Sequence, residues 1–217
     1  MVYRRFWILG AGHFGQVAVR RIRRHIPDAE LVVIDNGKVT VDTEKLIRAD
    51  GITWLSENLQ ELSPVDMVVP AIPVHVAAGW LHQRLADHFI LQTIEPHVAW
   101  TARLPDARQV QPGQYSISYA DFLCPDNCPE PKKICTHTKK ERPIDLFRLL
   151  ASLAADDLLP VVIRSYQLLP GVGGLVPAEL FSALAKVEHL IGKPLMVATA
   201  CRCHGVVDFC RLERKKG

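Results

Sequence analysis

Apolar and polar positions along this chain fall into short blocks that change period. Phe6 to Leu9 is a brief apolar run, the pattern of a strand covered on both faces. Val17, Ala18, Ile22 and Ile26 then recur at helical spacing, and Pro27 closes that helix because proline disfavours helical backbone in the residue before it. Leu31 to Ile34 repeats the strand pattern. A helical stretch is expected around Thr43 to Arg48, a third strand at Ile52 to Leu55, and a fourth at Val65 to Val69. A helix from Val76 to His88 and a fifth strand at Phe89 to Leu91 follow. Strands alternating with helical material predict a parallel sheet with crossover connections over residues 1–100.

Beyond residue 100 the pattern breaks up. Prolines 105, 112, 125, 129, 131 and 143 interrupt residues 101–143, which excludes long helices and predicts a loop-rich connector with one strand at Gln114 to Tyr119. A smaller α/β unit is expected over 144–217. It comprises a helix from Ile144 to Ala155, a strand from Val161 to Leu168, a glycine-rich turn, and a helix from Pro177 to Ile191. Strands Leu195 to Cys203 and Val206 to Leu212 complete it, joined by a turn at His204-Gly205. Arg211, Arg214, Lys215 and Lys216 read as a solvated tail.

The first strand and first helix are joined by Gly10-Ala11-Gly12-His13-Phe14-Gly15, and Asp35 stands at the carboxyl end of the second strand. Strand, glycine turn, helix and acid in this register form the dinucleotide fingerprint. Gly10 allows the tight turn, Gly12 lets a pyrophosphate approach the backbone, and Gly15 lets helix and sheet pack closely. The helix N-terminus then faces the phosphates, with His13 and Phe14 in the same loop. Asp35 is placed to accept ribose hydroxyls, and its charge favours NAD(H) over NADP. FAD, S-adenosylmethionine and a glycine turn that binds nothing are the alternatives. The expected fold is α/β: a Rossmann-type parallel sheet followed by a smaller cysteine-containing α/β unit.

Pro70 to His75 occupies the carboxyl end of the fourth strand, the edge at which such a sheet presents its cofactor. The order of apolar strand, Asp66, Pro73, His75, helix and Ile94-Glu95-Pro96 resembles the cofactor domain of the glucose-fructose oxidoreductase type of NAD(P)-dependent dehydrogenase. That family carries a catalytic lysine between the glutamate and proline of a Glu-Lys-Pro motif. Glu95 here is followed directly by Pro96, so the lysine has no counterpart. The same hundred residues are equally similar to the NAD-binding domain of potassium-uptake regulators of the TrkA kind. The resemblance implies a cofactor edge near Pro73. For an enzyme it would imply hydride transfer there, with His75, Glu95 and His97 as candidates for moving protons. Solvated loop side chains are the plainer reading of those three.

Six cysteines are present and none precedes Cys124. Cys124-Pro125-Asp126-Asn127-Cys128-Pro129, followed by Cys135, places three thiols in one proline-stiffened loop, which lowers the ordering cost of gathering mutually repelling thiolates. Cys203 is the expected fourth ligand, with Cys201, His204 and Cys210 as the other choices. Zinc is satisfied by four sulfur or nitrogen ligands, and an iron-sulfur cluster by four cysteines. The Cys-Pro steps, and the sense of a redox centre beside a nicotinamide site, favour iron and sulfur. Small buried thiols without metal are the plain alternative.

The net charge of +3 selects no partner. Arg20, Arg21, Arg23, Arg24 and His25 suit the negative end of the first helix better than they make a nucleic-acid patch. Leu169 to Gly174 offers backbone N–H groups to an anion but reads more simply as a tight turn. Trp7, Trp54, Trp80 and Trp100 are expected to pack, and no nucleophile elbow, zinc-protease helix or carboxylate pair is seen. The absence of a leader or an apolar span predicts a cytoplasmic protein without membrane insertion, and a homodimer is the default assembly. Together these features predict an NAD(H)-binding redox protein or oxidoreductase with a cysteine-ligated iron-sulfur or zinc site. The alternative is a non-enzymatic regulator that responds to NAD(H) or metal.

Overall fold

Side chains of the first strand alternate between two cores: Phe6 and Ile8 pack with one helical face, Trp7 and Leu9 with another. This strand, β1 (Arg5–Leu9), lies inside a four-stranded parallel sheet of order β3-β2-β1-β4, with β2 at Glu30–Ile34, β3 at Lys45–Ile47 and β4 at Met67–Pro70. The structure is a computed structural model and describes residues 3–38, 45–154 and 157–215. On the first face lies α1 (His13–His25), whose Ala18, Val19 and Ile22 meet Phe6, Ile8, Val33 and Met67. The other face is covered by α2 (Gly51–Asn58) and α3 (Val76–Leu85) through Leu55, Trp80 and Leu81.

The second sheet is mixed and has six strands. Its path runs β6 (Arg108–Gln111), β7 (Gln114–Ser118), β12 (His204–Arg214), β11 (Pro194–Ala200), β8 (Leu159–Arg164), while β5 (Phe89–Thr93) also pairs with β12. The 11-residue β12 is the spine: its first half pairs with β7, its second with β5, and its other edge with β11, all antiparallel. β8 and β11 are parallel, with α6 (Pro177–Glu188) between them in sequence. Helix α4 (Val98–Thr101) follows β5, α5 (Leu146–Ala151) packs Leu146 and Leu150 on the far face, and β9 (Tyr166–Leu169) with β10 (Val172–Gly174) forms a hairpin.

The fold is thus mixed α/β with one parallel and one mixed sheet, and several elements differ from the sequence reading. Residues 45–47, expected as helix, form β3, while 43–44 lie outside the described residues. Ile52 to Leu55, expected as a strand, belongs to α2, where the Asp50 carboxylate accepts the Thr53 N–H as a helix cap. Phe89 to Leu91 is a strand but sits in the mixed sheet, not as a fifth strand of the N-terminal one. Leu195 to Cys203 ends as a strand at Ala200. The turn is Cys201 to Cys203, and His204-Gly205 already belong to β12. The expected strand from Val161 to Leu168 divides into β8 and β9, so Tyr166 starts the hairpin. One core cluster joins Leu9 and Ile34 of the parallel sheet to Val161, Leu195 and Leu212 of the mixed sheet, so the hydrophobic interior continues across residue 100.

Asp66 anchors the start of the parallel sheet. Its Oδ2 accepts the N–H groups of Arg4 at 2.8 Å and Arg5 at 2.9 Å, and its Oδ1 meets the Arg5 guanidinium at 3.4 Å. Burial pushes this carboxyl up, but those donors outweigh it and hold the group below its ordinary value of 3.8. A depressed carboxyl contributes stability that is whole above 3.8 and is lost as pH falls through the lower folded value. Asp66→Asn should therefore be less stable than wild type at neutral pH, with the gap closing on acidification. Urea unfolding at a series of pH values measures it, and a gap independent of pH would contradict the assignment.

Candidate functional site

The three glycines of the first loop answer different constraints. Gly10 has φ 104°, and a Cβ there would lie 2.6 Å from the Ala71 carbonyl oxygen. A Cβ on Gly15 would run into the carbonyl of Gly10. Gly12 is the exception, with nothing within 4 Å of its Cβ position, so the fold itself does not require glycine there. It is the N-cap of α1, no side chain caps that helix, and its first-turn N–H groups face the loop. Asp35 accepts the Ala11 N–H at 2.7 Å on Oδ2 and the Gly37 N–H at 2.6 Å on Oδ1, tying the glycine loop to the end of β2. His13 and Phe14 are exposed, as is Pro73 in the loop after β4.

The thiol loop lies against this helix. The Asp126 carboxylate meets His13 Nε2 at 3.3 Å, and Arg21 donates to the Asp126 carbonyl at 2.6 Å and to the Pro170 carbonyl. One arginine of the basic cluster on α1 therefore holds two loops in place. Gly171, at φ 69° in the β9–β10 turn, is pressed onto the Asp126 carbonyl so closely that a side chain has no room. The Leu169 to Gly174 segment, read as a tight turn, is a turn only at Pro170-Gly171, which seats the thiol loop, and continues as strand β10. Gln167 Nε2 fixes the Cys128 carbonyl from the same hairpin at 2.6 Å.

Cys124, Cys128, Cys135 and Cys203, the four expected ligands, all line one cavity of about 380 Å³, together with His204, Tyr119 and Arg142. A second cavity of about 230 Å³ is lined by Cys124, Cys128, Cys201, Cys203, His204 and Glu130. Among the described residues no three His, Cys, Asp or Glu side chains stand together as a ready-made cage for one ion. Cys210 is separate: it is buried on β12, paired with Leu195 and Thr93, and burial pushes its thiol up to about 12.

The environments of the thiols differ for physical reasons. Burial raises Cys201 to about 11, against the N–H groups of Cys203 and His204, each 3.4 Å from its sulfur. Burial likewise raises Cys203, whose sulfur accepts from Arg142 Nη2 at 3.0 Å. Cys124 is raised by burial and by the neighbouring Cys128, Cys135 and Cys203. Cys135 moves the other way, lowered by hydrogen bonds from the Thr138 side chain and backbone and the His137 backbone. Burial lowers His204, which keeps its imidazole neutral and able to donate a lone pair. Arg142 is held by Asp145 at 3.1 Å, and Asp145 also takes Arg202 at 2.6 Å.

The proposed catalytic edge is arranged differently from the sequence expectation. His75 is 6% exposed and faces the mixed sheet, with Nδ1 paired to Asp208 and Nε2 2.8 Å from Thr199 Oγ1. Gln114 Nε2 donates to the other Asp208 oxygen at 2.9 Å. His75 and Asp208 also line a cavity of about 240 Å³ with Gly79, Thr93 and Gln114. Glu95 is exposed, and His97 is the N-cap of α4 with its Nδ1 accepting the Ala99 N–H, so neither side chain is tied to His75 by a hydrogen bond. Asp208, Thr199, Gln114, Asp126 and Arg142 carried no assigned role in the sequence. The signal for Asp208 was a lone acid inside the alternating apolar strand 206–212.

Residues 77–213 match the family AF_1314_C, described as "Uncharacterized protein, C-terminal domain". The chain belongs to that family. The matched span begins inside α3 and takes in β5, the mixed sheet short of the last residue of β12, and all six cysteines. A protein of Archaeoglobus fulgidus, described as "Uncharacterized protein", is 28% identical over 218 residues, covering 92% of this chain and 96% of that one. No solved structure matches. Among the described residues no helix is long and apolar enough to cross a membrane.

Two outcomes follow from this geometry. His75→Ala strips Asp208 and Thr199 of a buried partner and should lower stability by about 2–4 kcal/mol, read as a fall in the urea midpoint. A midpoint unchanged from wild type would remove His75 as the tie between α3 and the mixed sheet. In metal-free protein near neutral pH, Cys135 should be alkylated roughly tenfold or more faster than Cys210, which peptide mapping by mass spectrometry resolves.

Proposed function

We propose that this protein binds NAD(H) in the loop between β1 and α1 and carries a cysteine-ligated metal centre, iron-sulfur or zinc, in the neighbouring thiol pocket. The observation that carries the reading is the contrast among the glycines: Gly10 and Gly15 are filled by the protein's own backbone, while Gly12 faces open space at an uncapped helix N-terminus. A pyrophosphate is the group such a position suits. The strand order β3-β2-β1-β4, all parallel, is that of the mononucleotide-binding half of a Rossmann sheet and supports the same reading. Asp35 gives one acceptor site on Oδ2 to Ala11 of the loop and one on Oδ1 to Gly37, retains others for ribose hydroxyls, and by its charge disfavours a 2′-phosphate.

As an oxidoreductase, the protein would use the nicotinamide for hydride chemistry, while its own residues bind the phosphates, orient the ribose and hold the loop after β4. A regulatory reading is favoured by a different observation. Asp126 of the thiol loop touches His13 and Arg21 of α1, so the metal-binding and dinucleotide-binding segments share one helix. A regulator of this kind binds NADH and metal without turning the nucleotide over.

Gly12→Ala tests the dinucleotide site. A Cβ at Gly12 meets nothing within 4 Å, so thermal stability should match wild type, while NADH affinity by fluorescence or calorimetry should fall at least roughly tenfold. Equal affinity in variant and wild type, or no NADH binding by either, would overturn the reading.

A further inference from the structure

Cys124, Cys128, Cys203 and His204 line both thiol cavities; Cys135 lines only the larger and Cys201 only the smaller. Five thiols and one imidazole therefore border two adjoining spaces. A single zinc ion takes four such donors at about 2.0–2.3 Å and leaves two unused. Of the two sulfurs found on only one side, Cys201 is given donors by its own turn: the N–H groups of Cys203 and His204 each lie 3.4 Å from it. N–H groups aimed at sulfur in this way suit a sulfur bound to a cation, because hydrogen bonds to a charged acceptor are the stronger ones. Arg142, itself nearly buried, adds a positive charge beside Cys203.

Resting on the metal-centre reading above, we propose that the paired cavities receive a polynuclear iron centre bridged by sulfide, in which Cys201 is a ligand alongside the loop thiols Cys124, Cys128 and Cys135. Bridging sulfide extends the reach of the centre to thiols that border different spaces, which one ion at a single point does not do. Cys203, held by Arg142, and His204 complete the wall at the seam between the cavities. Cys210 takes no part, since it lines the cavity beside His75 and Asp208.

The test uses the full chain, made metal-free and then loaded without oxygen, in one sample with ferric iron, sulfide and a thiol reductant, which together supply both ferric and ferrous iron, and in another with zinc alone. Iron, acid-labile sulfide and zinc are counted per chain, and the visible spectrum is recorded. The expected result is two or more irons with matching sulfide and broad visible absorption. At least half of that absorption should be lost in Cys201→Ser and in Cys135→Ser and retained in Cys210→Ala, with circular dichroism melts showing that each variant folds. The exposed Cys135 loop serves as the second variant should Cys201→Ser fail to fold. One metal ion per chain without sulfide, unaffected by Cys201→Ser, would overturn this inference and leave the metal-centre reading standing. No retained metal in either sample would overturn both while leaving NADH binding to be judged by Gly12→Ala.

Discussion

Val68 and Leu175 exchange both backbone hydrogen bonds, at 2.9 and 2.7 Å, and so bind the edge strand of the parallel sheet to the segment that follows β10. Much of the arrangement at the site depends on that junction. Gly174 stands beside it because a side chain there would collide with Met67. With the junction closed, Val172 packs among Ala18, Val19 and Ile22, which brings the β9–β10 hairpin alongside α1. The hairpin turn then receives the thiol loop at Gly171, and Arg21 closes over both. A sheet edge left bare would offer unpaired N–H and carbonyl groups; here part of it is spent on fixing the position of a loop more than 40 residues away in sequence.

Local pattern revealed the elements whose signals are local. The strand, glycine turn and helix at residues 6–25 have chemistry within one stretch of chain, and β2 and β4 were visible as apolar runs. The region 45–58 was inverted because Lys45-Leu46-Ile47 is too short to show a period, while α2 carries tryptophan and isoleucine that suit a strand equally well. Asp50 followed by Thr53 was the better clue, a cap three residues ahead of its donor. β5 was visible as a strand, but its partner β12 lies more than a hundred residues on, and no single-sequence pattern names a partner at that distance.

The sites divide in the same way. Three loop thiols could be grouped by proximity, and Cys203 joins them along the cavity wall. The turn Cys201 to Cys203 could not be placed while those residues were read as strand, since strand geometry gives alternate residues one face and a turn does not. His75 was visible as a titratable residue near a strand end. Its partners Thr199 and Asp208 came from β11 and β12, with Gln114 of β7 on the other Asp208 oxygen, and only tertiary structure brings these residues together. The result is a histidine whose two ring nitrogens are both spoken for, which shifts attention from that edge to the helix and the thiols.

The two-point hold of Asp126 on α1 has a thermodynamic consequence. Its side chain meets His13 in the first turn and its carbonyl meets Arg21, eight residues further along the same helix, so the loop is gripped at a span of about 12 Å. A displacement of residues 124–128 that is carried by Asp126 reaches α1 through those two contacts, one of them in its first turn. Reciprocity then applies: a factor by which an occupant of the thiol pocket changes affinity at the glycine loop is the same factor by which an anion at the glycine loop changes affinity for that occupant. Any such exchange would meet at one residue, since Asp126 supplies both contacts to the helix.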